Sequence, residues 1–478
     1  MYRKGERKLN GKKFFISLFL LFLFPGCTSH YLVSPSQKIN LAHSIALSVK
    51  KPPSLGKLDI AKVLRLGLKG NLDYQMIHTR VTQAGALVKQ ADSAFFPKIN
   101  IGVRYIHADS PLTYFSTTLD QHKFKFGGNF NQTSDFGSGR GFVTIGYGLN
   151  LGGSQVFQSL MAKLERAIAR KEREKILNTL ITSLIEAYYN ALAAKKAIHI
   201  AEEAVKTLKS QLSETKVRFK GGSALKSDVL ALEVRLAAAK ENLIKSRNRY
   251  ELLKNALAIL MGLNPNYKLD LEEKPWEPFK LPKSYEKGIR IALQNRAEIK
   301  IMENRYLQAR YNQRLAQSRY FPNLQFFGNY YFEDRDFKYT LKRDNWILGV
   351  ELSMPLFDGL YTYGKIKEAI AKKKEARLGY KKTLLGIQHE VKAAYLNLNE
   401  AENRVKVLKL AVKQGEENFR LVKKQFEGGA ATITKYLDAE FALNSTKFQL
   451  LQAQYDLKKA KAKLGHALGL CQRCIQKI

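Results

Sequence analysis

"SAFFPKINIGVRY" runs from Ser93 to Tyr105, and "SRYFPNLQFFGNYY" from Ser318 to Tyr331. Each stretch passes through an aromatic pair into a proline, then into residues that alternate apolar with polar or small. Phe96 and Phe321 stand 225 apart (321 − 96), and the same shift carries Arg80 onto Arg305, Gln83 onto Gln308 and Ala91 onto Ala316 without a gap. Further on, "RFKGGSALKSDVLALE" (Arg218–Glu233) answers "QFEGGAATITKYLDAE" (Gln425–Glu440) with a shift of 207 (426 − 219). "EAYYNAL" from Glu186 and "AAYLNLN" from Ala393 align at the same shift. The chain therefore holds two tandem copies, too few for a solenoid. The first copy carries about eighteen extra residues (225 − 207), and the Gly/Ser/Asn-rich stretch 127–141 is the expected place for them.

Each copy reads as helix, strand pair, long helix, glycine break, helix. The opening helices are expected over 59–95 and 284–320. Pro97 and Pro322 end them, because proline lacks the amide hydrogen and its predecessor avoids the helical region. The period then changes to two. Ile99, Ile101, Val103 and Tyr105 make one apolar face, and Val143, Ile145, Tyr147, Leu149 and Leu151 another. Leu324, Phe326, Tyr330 and Phe332, then Leu348, Val350, Leu352 and Met354, repeat the pattern. Four strands of about ten residues fit a sheet packed on helices. They also fit a membrane barrel, whose strands need about 9–11 residues. Four strands cannot close a barrel, and an open edge cannot sit in lipid, so the second reading requires several chains to pool their strands. Phe95, Phe96, Tyr105, Tyr320, Phe321, Tyr331, Phe332 and Trp346 near strand ends suit an interfacial belt.

Leu177, Leu184, Ala191, Ile198, Val205, Leu212 and Phe219 fall every seven residues, as do Leu384, Val391, Leu398, Val405, Val412, Phe419 and Phe426. A strict seven-residue repeat imposes left-handed supercoiling. Gly221, Gly222, Gly428 and Gly429 stop the outgoing helices, so each copy ends in an antiparallel coiled-coil hairpin. Its longer arm, Ser154 to Lys220, would reach about 100 Å.

The 478 residues carry a net charge of +38, with a pI near 9.9. Lys and Arg are spread along the chain and form no single basic arm, so nucleic acid is not an expected partner. Arg3, Lys4, Arg7, Lys8, Lys12 and Lys13 precede the short apolar run Phe14–Phe24, the layout of a secretory signal. Its removal takes six basic residues and Glu6, leaving +33 (38 − 5). The run ends in "LFPGC" and resembles a bacterial lipoprotein signal, with Cys27 as the lipid-bearing residue. The organisation expected is a signal peptide at 1–26, an N-terminal extension at 27–57, a first copy at 58–263, a Pro-rich linker at 264–283, a second copy at 284–470 and a tail at 471–478.

No catalytic constellation, metal site or cofactor site emerges. "HEVKA" at His389 lacks the second histidine of a zinc helix. "GSGRG" at Gly137–Gly141 lacks the Gly-Lys-Ser/Thr of a phosphate cradle and reads as an outer loop. Cys471 and Cys474 supply half a zinc site at most. The duplicated layout, the two aromatic-Pro entries into strands, "LSMPLFDG" at Leu352–Gly359 and the "F-x-G-G…LDAE" turn resemble the TolC-like outer membrane efflux proteins. The resemblance covers about 58 to 470. It implies a mainly α chain with membrane β: long hairpins in an α-barrel, and four strands per chain in a trimeric, twelve-stranded outer-membrane β-barrel. It implies a passive, non-enzymatic conduit that works with a periplasmic adaptor protein and an inner-membrane pump. Drugs, metal ions or other small molecules are the expected cargo, with the outlet of a protein-secretion system as the alternative. It also implies that the turns form the periplasmic entrance. Asp438 matches the family's acidic aperture position, while Lys435 stands where relatives often have another acid, and Asp228 is the candidate partner across subunits. A cytosolic, basic coiled-coil scaffold on nucleic acid is the rival of another class. The signal-like amino terminus and the alternating strands speak against it.

Overall fold

The computed structural model describes residues 56–127, 135–277, 279–338 and 344–472. The signal-like segment, Cys27 and Cys474 lie outside them. The first copy runs β1 (Lys57–Leu58), α1 (Ile60–Gly70), α2 (Leu72–Asp92), a 3-10 turn (Ser93–Phe95), β2 (Lys98–Ala108), α3 (Pro111–Asp120), β3 (Phe136–Asn150), α4 (Ser154–Lys220) and α5 (Lys226–Leu260). After β4 (Asp270–Leu271) the second runs α6 (Tyr285–Asn295), α7 (Ala297–Gln317), a 3-10 turn (Ser318–Tyr320), β5 (Asn323–Asp334), β6 (Asp344–Ser353), α8 (Tyr361–Glu427) and α9 (Ile433–Ala467). The duplication survives to the residue. Helices α4 and α8 are both 67 residues long, and α5 and α9 both 35.

The heptad positions explain the hairpins. Leu184, Ala191 and Val205 on α4, and Val391 and Val405 on α8, are buried against their partners. Each large apolar side chain so buried contributes about 1.5–3 kcal/mol. In the lower half α8 packs on α9, α9 on α4 and α4 on α5; nearer the sheet, α2 packs on α4, α4 on α7 and α7 on α8. The result is a layer of helices with a hairpin at each lower end.

The opening helix of each copy is broken, which apolar periodicity did not foretell. Asn71 caps α2 by accepting from the Tyr74 amide at 2.9 Å, and its Nδ2 donates to the Leu260 carbonyl at 3.0 Å. Arg296 occupies the same place in the second copy (296 − 71 = 225). Its Nη1 donates to the Ala467 carbonyl at 3.2 Å. Leu260 and Ala467 are themselves equivalent (467 − 260 = 207), so different chemistry satisfies the same orphan carbonyl at a helix end.

The extra residues of the first copy lie further upstream than composition indicated. Residues 109–135 join β2 to β3, and 335–343 join β5 to β6, a difference of eighteen (27 − 9). The longer connection contains α3, begun by Pro111 and capped by Ser110. Gly137–Gly141 is strand, not loop. A β-carbon on Gly137 would collide with the Tyr105 hydroxyl, and one on Gly139 with the Phe337 ring. The glycines of this strand thus leave room for aromatic rings.

The segment between the copies is packed. Its β4 pairs in parallel with β1 through Leu58 and Leu271, both buried. Glu273 accepts from Lys196 at 2.6 Å, from Tyr455 at 2.9 Å and from Lys458. Burial opposes its charge, but these donors prevail and bring the carboxyl down to about 2.

Candidate functional site

Two regions carry the chemistry of this molecule: the sheet and the hairpin tips. The sheet has the order β2-β3-β5-β6, all antiparallel. Its register aligns the four apolar sets on one face. Ile101 opposes Val143, Val143 opposes Tyr330, and Tyr330 opposes Trp346. The other face carries Asn100, Thr144, Asn329, Gln325 and Glu351. Among the described residues no helix covers the apolar face: Ile101 is 83% exposed, Leu348 74% and Trp346 71%. A sheet packed on its own helices would bury these side chains. Among the described residues, strands β2 and β6 each lack a neighbour on one side. Pro97 and Pro322 stand between the 3-10 turns and the strands. Tyr331 departs from the expected belt. It lies on the polar face, buried, with its hydroxyl donating to Asp120 at 3.3 Å.

At the sheet end remote from the helices, α3 is tied to the polar face. Arg140 donates to Glu333 through Nε at 2.8 Å and pairs with Asp120 of α3 at 2.8 Å. Ser138 donates to the other Glu333 oxygen at 3.0 Å, and the Arg140 guanidinium lies 4.3 Å from the Tyr331 ring centroid. This cluster was missed in the sequence. Its only signal was an arginine inside a glycine-rich stretch, and its two acids lie 20 and 193 residues away.

At the tips, Gly222 and Gly429 both adopt φ +77°, whereas Gly221 and Gly428 have ordinary negative φ. The second glycine of each pair therefore makes the left-handed turn. Ser223 donates to the Arg218 carbonyl at 2.8 Å and Ala430 to the Gln425 carbonyl at 2.7 Å, closing both helices in the same way. Asp228 is occupied locally, accepting from the Leu225 amide at 3.1 Å to cap α5. Lys435 donates to Gln425 at 3.4 Å, and Asp438 pairs with Arg235 of α5 at 3.5 Å. Lys435 and Asp438 are thus turned to different partners, and Arg235–Asp438 links the two hairpins. Near them Glu440 is buried, and burial pushes its carboxyl up to about 7. Cys471 is buried beside Thr182 in the core, where burial raises its thiol to about 11.

A family model described as outer membrane efflux protein matches residues 63–263 and 288–470, one match per copy. The chain belongs to this family. As an outer membrane efflux protein it is placed in the outer membrane, extending into the periplasm, with a role in efflux. It is 21% identical over 409 residues to nodulation protein T of Rhizobium leguminosarum bv. trifolii, covering 84% of each chain. It is 23% identical over 305 residues to outer membrane protein TolC of Escherichia coli (strain K12), covering 61% of each. The CmeC outer membrane channel of Campylobacter jejuni shares its fold with a TM-score of 0.78 at 18% identity, covering 86% of this chain and 85% of that one.

Proposed function

We propose that three copies of this chain close a twelve-stranded barrel in the outer membrane and continue it as a periplasmic tunnel of helices. Small molecules, drugs or metal ions among them, pass through it without chemical change. The observation that carries this reading is the sheet: among the described residues it has an apolar face open to its surroundings and two edges without partners, in a structure that lipid admits only when closed. The helix layer supports it. On α5, Leu230, Val234, Ile244, Leu252 and Ile259 form one exposed apolar stripe, and on α8 Leu378, Leu385, Leu396 and Val407 form another. These are the two outer helices of the lower layer, the places where neighbouring copies meet. Gly222 and Gly429 shape the tips that a periplasmic adaptor contacts, and an inner-membrane pump delivers cargo through it. Asp438, Lys435 and Asp228 stand near the entrance. Cys27, outside the described residues, carries a lipid anchor after the signal at 1–26 is cleaved.

Membrane fractionation with unheated gel electrophoresis tests the reading. The expected result is an outer-membrane species of three chains that collapses to one on boiling. A periplasmic monomer that stays soluble without detergent would overturn it.

A further inference from the structure

Glu440 stands apart from the other acids of the hairpins. It is 6% exposed, and no donor or cation among the described residues reaches it. Its counterpart Glu233 (440 − 207) pairs with Lys216 at 2.7 Å. The residue that would serve Glu440 in the same way is Lys423 (216 + 207), which lies 3.9 Å from Glu427. The nearby Arg235 is turned to Asp438. A buried carboxylate without a partner is costly, so the site is suited to an incoming positive charge.

The space before Glu440 is a groove of about 770 Å³ between α4, α5 and α9. Cavities that hold drug-sized molecules run from about 300 to 1,000 Å³. Ala194, Ala197 and Ala201 of α4 line it, leaving room, and Phe441 and Phe448 border it. Three cations line it too: Arg235, paired with Asp438 and 5.9 Å from the Phe441 centroid, Lys245, paired with Glu241 at 2.6 Å, and Arg249. Tyr189 and Lys196 of α4 face the connecting segment that carries Glu273 and Trp276, on the other surface of the helix layer. The groove therefore opens on the surface free of that segment, the one that lines the tunnel when copies close the layer.

We propose that this groove is a binding site for a lipophilic organic cation, its charged centre against the Glu440 carboxylate and its apolar body over the alanines, between the two phenylalanine rings. The proposal rests on the tunnel reading for its place on the inner surface, and it makes the tunnel wall a selective surface for cargo. A ring edge or face next to a cation adds to the attraction of the carboxylate.

The test uses the purified full-length assembly in detergent and two ions of the same shape and opposite charge, tetraphenylphosphonium and tetraphenylborate, in equilibrium dialysis. Saturable phosphonium binding is expected, with Glu440→Gln weakening it about tenfold or more and Phe441→Ala weakening it less. Tetraphenylborate should not saturate the site. Equal binding of both ions, unchanged phosphonium affinity in Glu440→Gln, or no saturable binding by the parent would each overturn the site. Planar-bilayer conductance of the same preparations separates the two readings. Normal channels with no cation binding sink only the site, and preparations that form no channels sink the tunnel.

Discussion

At the sheet end, Arg140 joins Asp120 and Glu333, and the Glu333 side chain is 1% exposed. At the tip end, Arg235 joins Asp438 at 3.5 Å with side chains 47% and 65% exposed. Both ends use an arginine between elements that are distant in sequence. Desolvation separates them. Removing water strengthens the attraction at the sheet end and also raises the penalty for breaking it. An exposed pair is worth about 0–1 kcal/mol and dissolves in salt. One end of the molecule is therefore stapled, with α3 fixed to the polar face. The other end is held loosely, as an entrance that must open requires.

The largest expected effect follows from breaking the staple. Arg140→Ala leaves Glu333 buried without a cation, which costs about 3–5 kcal/mol. The guanidinium midpoint of the detergent-solubilised protein measures it. A shift no greater than that of Arg235→Ala would remove the contrast between the ends. Replacing Arg140 and Glu333 together by Met and Leu should recover much of the loss, because no lone charge then remains.

Glu440 sharpens the comparison from the other side, being buried like Glu333 but without the cation that Glu333 has in Arg140. Its carboxyl is raised by burial from an ordinary value near 4.5 to about 7. Below about 4.5 both folded and unfolded chains hold the proton, and the contribution to stability is full. As pH rises toward 7 the unfolded chain ionises first, and the contribution is gone once pH passes the folded value. The loss is on the order of 3 kcal/mol. Unfolding midpoints of the parent and Glu440→Gln should converge at low pH, and the variant should lead by pH 8. Parallel curves from pH 4 to 8 would show that this carboxylate is not held neutral.

The repeat, the long hairpins and the two-faced strands were legible because each is a periodic pattern written in neighbouring residues. The interruptions were not. The apolar positions of α1 and α2 continue past Asn71, and only the Leu260 carbonyl, 189 residues away, gives that asparagine its second bond. Gly137–Gly141 looked like a loop because glycine has no side chain to reveal its face, and its strand character comes from Tyr105 and Phe337 lying over it. Glu440 sits in "LDAE" as an ordinary acid near a turn. Its burial depends on α4, more than two hundred residues earlier. Local order is spelled out in sequence, whereas desolvation is decided by whichever distant element arrives.

The smallest expected effect on stability, and the one most informative about the entrance, comes from Asp438→Asn. The pair it breaks is exposed, so the unfolding midpoint should move by no more than about 0.5 kcal/mol. Conductance should respond more. The Arg235–Asp438 pair links α5 to α9, and releasing it frees one hairpin tip from the other. Single-channel conductance of Asp438→Asn, normalised to bulk conductivity, should exceed that of the parent at 0.1 M salt. The difference should shrink toward 1 M salt, where the screening length falls from about 10 Å to about 3 Å and the parent's own pair weakens. Variants of Arg140 should show no such salt-dependent convergence, because the Glu333 carboxylate they leave behind is shielded from the solution. If Asp438→Asn and the parent conduct alike at every ionic strength, the tip pair does not restrain the aperture, and the looseness of this end would have to reside in the packing of Phe419, Phe426 and Tyr436 instead.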